Sequence, residues 1–389
     1  MTCHDASLYV HVPFCAGACD YCDFYSVPVK GDDPRLGRFV DVLLAEAKLL
    51  FDQFRPDSVP TLYIGGGTPS VLGAAGTGRL LAGLSELIAA FAPPPAEVTV
   101  EANPESADEA FLAAARSGGV TRLSLGVQTF HEPSRRAVRR LGGAAAGRLA
   151  LAAGYFTGTL SVDLISGLPF QDERVLLDDI NTVLNYAPAH VSLYALTLDP
   201  ETTLSAPLPR GDEADSLWLL GRDALEKACY GQYEVSNFSL GGRESRHNIR
   251  YWRMRNWLAL GPAASATIID DETGCGLRYT IPPDVDRWLA AGGCGFSEDS
   301  GYKPLIEELD KISLIKETLL MGFRYIEGPD EALFRRRFDR SIGDCVPKTI
   351  AAWRSRGLFR KDKYALTKSG LLFLNRFLIE AFEEVSVTL

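Results

Sequence analysis

The chain has 389 residues, a formal net charge of −10 and a pI near 5.2. With 46% apolar and 23% charged residues it has the make-up of an ordinary globular protein, which excludes disordered, collagen-like and coiled-coil classes. The acidic balance leaves no chain-wide basic footprint for nucleic acid.

The first residues, Met1 to Asp5, carry neither a basic n-region nor an apolar h-region, so no signal peptide is expected. Uncharged stretches such as Leu149 to Val162 are shorter than the ~18–20 residues that span a bilayer. No transmembrane segment and a cytoplasmic location are therefore predicted.

Short β-rich runs occur at Leu8–Val12, Leu62–Ile64, Glu97–Glu101, Arg122–Val127, Leu160–Ile165 and His190–Leu196. Helical patterns lie between them. Asp33-Pro34 is an N-cap followed by proline at the first helical position, ahead of an apolar stripe of Phe39, Leu43, Ala47, Leu50 and Phe54. Further helices are predicted near Leu80–Phe91, Asp108–Ser117, Pro133–Ala153, Glu173–Asn185 and Ala214–Ala228. Strand–helix repetition argues a parallel sheet with crossover helices. Six units are fewer than the eight of a closed barrel, so either an open six-unit barrel or a doubly wound sheet fits.

Residues 241–300 are rich in glycine and read as irregular. From Lys303 the chain turns helical through Leu305–Gly322, then again at Pro347–Arg356. Leu358–Leu366 reads as a hairpin, and Thr367 caps a last helix to Phe382. This pattern is winged-helix-like. Between 331 and 363 there are ten Lys or Arg against four Asp or Glu, which reads as a solvated basic face on a small C-terminal domain. The predicted division is 1–240, 241–300 and 301–389.

Eight cysteines are present, and Cys15, Cys19 and Cys22 crowd directly after the first predicted strand. The spacing is C-x3-C-x2-C. A structural zinc site needs four ligands in two pairs, and no second pair is nearby. Buried structural cysteines have no need of a loop beside Gly17, Asp20 and Asp23. Three thiolates holding a [4Fe–4S] cluster leave one iron open, as a reactive cluster requires.

The string Tyr9-x-His11-Val12-Pro13-Phe14-Cys15-x3-Cys19-x2-Cys22 resembles the start of the radical S-adenosylmethionine (SAM) proteins, and more narrowly the group around the oxygen-independent coproporphyrinogen III oxidase. The resemblance implies an open six-unit (β/α) partial TIM barrel with a smaller C-terminal domain. It also implies SAM chelated at the open iron and cleaved to a 5′-deoxyadenosyl radical.

Gly65-Gly66-Gly67-Thr68-Pro69, Glu101, Gln128, Asp163 and Thr197 follow or end successive predicted strands, where ligands sit in parallel α/β folds. The glycine run lacks the third glycine of a dinucleotide fingerprint, since Ser70 stands there. By the resemblance, Gly66, Gly67 and Thr68 contact SAM. Glu101, Gln128, Arg140 and Asp163 line its ribose or a second ligand, and Tyr9, Tyr21 and Thr197 match positions of the same site.

Two features separate the subgroups. Phe24 stands where the oxidase has a further cysteine, and His247-Asn248-Ile249-Arg250-Tyr251-Trp252 looks like the haem-binding H-N-x-x-Y-W motif of the radical SAM haem chaperone (HemW) family. Imidazole is a common axial haem ligand, so His247 is the expected ligand. Tyr251 and Trp252 would stack on the porphyrin, and Asn248 would bind a propionate or orient His247. The alternative for His247 is a satisfied histidine capping the barrel. Two positions depart from the family: Gly142 stands where it places a histidine, and Ala263-Ala264-Ser265-Ala266 replaces G-A-H-S.

The function implied is a haem chaperone that passes haem to an acceptor protein. The rivals are the oxidase and another radical SAM enzyme. Neither the acceptor nor an electron donor is named by any residue, and no catalytic residue is assigned. No G-x-x-x-x-G-K, H-E-x-x-H or G-x-S-x-G is present, so nucleotide hydrolysis, zinc proteolysis and serine-hydrolase chemistry have no foothold.

Overall fold

The computed structural model describes residues 3–198, 202, 204, 206–297 and 299–388. Its frame is a twelve-stranded sheet. Six strands come from the strand–helix repeats: β1 (Ser7–Val12), β2 (Thr61–Gly66), β3 (Glu97–Ala102), β4 (Arg122–Gln128), β5 (Leu160–Ser166) and β6 (His190–Ala195). They lie side by side in chain order, all parallel. Two short strands, β7 (Gly231–Gln232) and β8 (Asn237–Ser239), continue beyond β6 in antiparallel pairing.

The other side of β1 is filled from far along the chain. β9 (Trp257–Leu260) pairs parallel with β1, in register Ser7↔Trp257 to Val10↔Leu260. β10 (Ser265–Asp270), β11 (Cys275–Thr280) and β12 (Leu305–Leu309) extend it antiparallel to the edge. Within segment 241–300, expected to be irregular, residues 257–260, 265–270 and 275–280 are thus strands of the main sheet. Residues 305–309 are a strand, not the start of a helix.

The sheet curls. Tyr63 on β2 and Tyr194 on β6 line one cavity of about 50 Å³, although four strand spacings of a flat sheet would hold them ~19 Å apart. Alternation of side chains explains what goes inside. Leu8, Val10, Leu62, Ile64, Val100, Leu123, Leu125, Val162, Leu164, Val191 and Leu193 are buried in the main core. The alternate residues are polar: Ser7, Tyr9 and His11 on β1, Thr61 and Tyr63 on β2, Glu97, Thr99 and Glu101 on β3. The series continues as Arg122 and Ser124 on β4, Ser161 and Asp163 on β5, and His190, Ser192 and Tyr194 on β6.

Helix α1 (Pro34–Phe54) begins as its sequence predicts, with Asp33 accepting from the Arg35 amide. Its stripe Phe39, Leu43, Ala47 and Leu50 is buried. On the same face Glu46 accepts from the Gly261 amide (2.8 Å), the Cys294 amide (2.6 Å) and the Trp288 indole (2.5 Å). One buried carboxylate thereby ties the first helix to the late strands.

The single helix expected over Pro133–Ala153 is two, α2 (Glu132–Ala137) and α3 (Ala145–Tyr155). Positive φ at Arg139 (50°) and Gly142 (108°) breaks it. Pro69–Ala89 has the length and hydropathy of a membrane span. It carries Arg79 and Glu86 and buries Leu80, Leu84 and Ile88 against the protein.

A second core is formed by residues 309–385 with Met254 and Ile269. It holds α4 (Lys311–Gly322), α5 (Pro347–Ser355) and α6 (Leu374–Thr388). The expected hairpin is reduced to one bridge, Phe359↔Leu366, and Thr367 caps the short helix that follows. Buried Arg337 joins this core to the sheet, pairing with Asp271 (2.8 Å) and donating to the Met254 carbonyl (3.1 Å).

Candidate functional site

The three clustered cysteines lie at the C-terminal end of β1. Phe14–Cys15 pairs with Val27–Pro28 and so closes the cysteine-bearing segment into a loop. His11 holds the far side, with its Nε2 3.0 Å from the Tyr25 carbonyl and its Nδ1 3.0 Å from the Tyr9 hydroxyl. The Asp20 amide donates to the Val138 carbonyl, and Arg139 pairs with the Asp20 carboxylate. The helix break at 138–144 therefore has work to do: it braces the loop and turns Arg140 inward.

Cys15 is buried and Cys22 exposed, and all three thiols are free. The Cys15 sulfur lies 3.1 Å from the Thr68 hydroxyl, which accepts from Asn103 Nδ2 at 2.7 Å. Asn103 Oδ1 accepts in turn from Arg140 Nη2 at 2.7 Å. The same guanidinium donates to the Gly126 carbonyl and reaches the Cys19 sulfur at 3.8 Å. Burial pushes the Cys15 thiol pKa up, and the Thr68 bond opposes this. Among the described residues no three His, Cys, Asp or Glu side chains converge on one metal ion. A single zinc would draw its sulfurs to about 2.3 Å of one point; a cube with one thiolate per iron spreads them wider.

The glycine run follows β2. A Cβ on Gly65 would stand 2.9 Å from the Glu101 carboxylate, on Gly66 2.7 Å from the His11 ring, and on Gly67 2.6 Å from the Phe14 carbonyl. Gly66 also has φ +108°. At Gly66 and Gly67 no other residue fits, so the backbone passes directly between the cysteine-bearing strand and Glu101.

Glu101 accepts from the Tyr63 hydroxyl (2.5 Å) and the Gly66 amide (3.1 Å). Burial raises its pKa to about 7, with Asp163 adding to the rise and both donors opposing it. Asp163 accepts from Ser124 at 3.2 Å, and burial raises its pKa too. Gln128 sits at a register slip in β4 with φ 67°, as residues re-aimed by a bulge do. Gln128 Oε1, Arg140 Nε and Glu105 Oε2 are buried with no protein partner.

Cys15, Cys19, Tyr21, Gly66, Gly67, Thr68, Glu101, Gln128, Arg140 and Asp163 thus gather at one end of the barrel. Tyr9 lies on the inner face below. Thr197 is exposed just past β6 and its hydroxyl donates to the Ala195 carbonyl. Tyr63, Asn103, Ser124, Ser192 and Tyr194 also line the site or its network and were missed. Their signal was the alternation of polar residues along each strand.

The H-N-x-x-Y-W string is at the opposite end. It forms α7 (Arg246–Trp252) in spatial terms beneath β2 and β3, with Ser245 as N-cap. His247 is 1% exposed. Its Nδ1 lies 2.8 Å from the Thr61 hydroxyl and its Nε2 2.9 Å from the Tyr251 hydroxyl. Burial lowers its pKa to about 3. Trp252 packs under the Arg324 guanidinium at 5.0 Å, and Asn248 faces the barrel cavity. In this fold His247 has no ring nitrogen free for iron, Tyr251 is spent on His247, and Trp252 has a protein cation on its ring. Three of the four residues expected at haem, His247, Tyr251 and Trp252, thus have protein partners here, while Asn248 lines the cavity.

The radical SAM superfamily matches residues 9–182. The haem chaperone HemW of Escherichia coli (strain K12) is 30% identical over 379 residues, covering 96% of this chain and 97% of that one. The chain belongs to the radical SAM haem chaperone (HemW) family. The HemW of Haemophilus influenzae is 32% identical, with 96% of each chain covered. The mitochondrial radical S-adenosyl methionine domain-containing protein 1 of Mus musculus is 35% identical over 82% of this chain and 73% of its own. Coproporphyrinogen III oxidase (HemN) of Escherichia coli shares the fold, with a TM-score of 0.77 at 20% identity over 97% of this chain and 90% of that one.

Membership in the family implies a [4Fe–4S] cluster and SAM. The residues present fit both. Three thiols share one braced loop with an open side at Cys22, and orphaned buried donors and acceptors stand beside them.

Proposed function

We propose that this HemW-family chain is a haem chaperone: it binds haem and passes it to an acceptor protein. Cys15, Cys19 and Cys22 hold the [4Fe–4S] cluster. Gly66, Gly67, Thr68, Glu101, Gln128, Arg140 and Asp163 hold an exchangeable SAM, with Tyr9, Tyr21 and Thr197 at its margins. The observation that carries the reading is the similarity to HemW relatives over nearly the whole chain, C-terminal domain included. Phe24 in place of a fourth clustered cysteine favours the chaperone over the oxidase.

The chemistry of the site supports the SAM part. A sulfonium cation gains from the two carboxylates Glu101 and Asp163 set in a low-dielectric interior. The Thr68–Asn103–Arg140 chain fixes the cysteine loop to β3 and β4, so the thiolates and the carboxylates are held in one rigid frame. Arg140 Nη1 reaches the Cys19 sulfur at 3.8 Å and so ties this thiol to the same frame. Bound there, the cluster supplies the electron for reductive chemistry.

The haem reading does not lean on His247. For that imidazole to bind iron, its bond to Thr61 or to Tyr251 must break. The test is direct. Anaerobically reconstituted protein should take up haem saturably, with a Soret band, and lose it to an apo-acceptor. Under reducing, SAM-replete conditions it should form no protoporphyrinogen IX from coproporphyrinogen III. Turnover of that substrate overturns the chaperone reading.

A further inference from the structure

Trp252 and Arg253 close helix α7, and Arg324 and Tyr325 follow helix α4. The two pairs meet crosswise. The Arg324 guanidinium lies over the Trp252 ring at 5.0 Å, and the Arg253 guanidinium lies over the Tyr325 ring at 5.5 Å. Cations over aromatic faces attract, so two such contacts dock the end of the H-N-x-x-Y-W string on the C-terminal core.

Neither guanidinium has a carboxylate partner among the described residues. The arginines on either side do: Arg250 pairs with Asp5 at 2.9 Å and Arg255 with Asp330 at 3.3 Å. Buried Arg122 and Arg337 are paired as well. Arg324 is half-buried and makes neither an ion pair nor a hydrogen bond among the described residues. Its Nε is enclosed without an acceptor, while its terminal nitrogens stay open to solvent. Trp252 Nε1, in the ring beneath, is a second enclosed donor without an acceptor.

Three carboxylates lie near enough for their charge to be felt here, and each is committed elsewhere or stands apart. Glu234 is buried and accepts from the Ser236 amide at 2.8 Å. Glu327 pairs with Lys363, and Glu244 forms no ion pair with either arginine. Half-buried guanidinium left without a partner calls for an anion, and its planar fork of donors suits a carboxylate. Haem carries two carboxylates, the propionates, side by side on one edge of the macrocycle.

We propose that Arg324 and Arg253 form a clamp for the two propionates of haem, with the Trp252 ring as the platform that holds Arg324 in place. Arg324 lies outside the H-N-x-x-Y-W string, so the C-terminal core supplies part of the haem site. The inference rests on the haem part of the proposed function and needs no assignment of the iron ligand.

The test titrates the full, anaerobically reconstituted chain with ferric protoporphyrin IX and with its dimethyl ester, in the same dilute detergent, and follows both at the Soret band. The ester keeps the iron and the macrocycle and removes both charges. The parent should bind the free acid about tenfold or more tighter than the ester, the scale of a charge-assisted hydrogen bond. Arg324→Gln should weaken the free acid by a similar factor and leave the ester unchanged. Arg253→Gln should do the same to a smaller degree. Arg174→Gln, which removes an exposed charge from another helix, should change neither.

Equal affinity of the parent for acid and ester overturns the proposal, and that comparison needs no variant to fold. An Arg324→Gln chain that loses acid and ester alike also overturns it, and makes Arg324 a packing residue of the Trp252 ring. Equal losses in Arg324→Gln and Arg174→Gln reduce the effect to overall charge and overturn it too. If the parent takes up neither ligand, the haem reading itself falls and the clamp falls with it.

Discussion

Two carboxylates in one barrel interior carry most of the site's pH dependence. Glu101, whose ordinary pKa is 4.5, is raised to about 7 by burial first and by Asp163 second. Burial also raises Asp163. A cationic ligand favours the ionised acids, so SAM affinity should rise as the pH climbs through about 7. Titration calorimetry between pH 5.5 and 8 checks this, and Glu101→Gln should flatten the dependence. Without ligand the sign reverses for stability. A raised folded pKa contributes stability that is full below about 4.5 and lost as the pH passes about 7. Thermal melts of the ligand-free protein should fall over that window, and those of the SAM complex should fall less.

Among elements, α1 shows how one residue can bind distant parts of the chain. Glu46 satisfies three buried donors from segment 261–294. Glu46→Ala leaves them unpaired, and each unsatisfied buried donor costs about 1–3 kcal/mol. The variant should lose at least about 2 kcal/mol in denaturant unfolding, while Glu109→Ala on an exposed helix start should lose little. The repeats that build the barrel were legible because strand runs and capped helices each have a local signature. All six strands lie where the alternation and apolar runs put them. The break between α2 and α3 was not legible, since Ala-rich 143–153 continues a helical pattern that the left-handed Arg139 and Gly142 interrupt. β9 was hidden by a partner strand 250 residues away, and β10 to β12 by the glycine-rich connections around them. His247 illustrates a related limit: a motif names residue types, but only the fold shows that Thr61 and Tyr251 bond its two nitrogens.

The whole molecule has two large cores, and where they meet Met254 and Ile269 enter the C-terminal core while buried Arg337 adds a polar tie. Arg337, from the C-terminal core, meets Asp271 at the turn between β10 and β11. Arg337→Ala removes a charge-assisted bond and a bond to the Met254 carbonyl, at about 1–3 kcal/mol together. Because the loss falls where the cores meet, residues 311–388 should become sensitive to limited proteolysis before the barrel melts. Equal resistance in parent and variant would place the joint elsewhere.

The parallel pairing of β9 with β1 has a consequence for how the chain is made. Until Leu260 has left the ribosome, β1 presents an open edge of Leu8 and Val10 with unpaired amides and carbonyls, the kind of edge that templates aggregation. Contacts spanning this much sequence close late and slowly. A nascent chain halted before Trp257 should therefore need a holding chaperone and precipitate when released, whereas one halted after Thr280 should stay dispersed. Of the six parallel repeats, the first strand is the last to be sheltered.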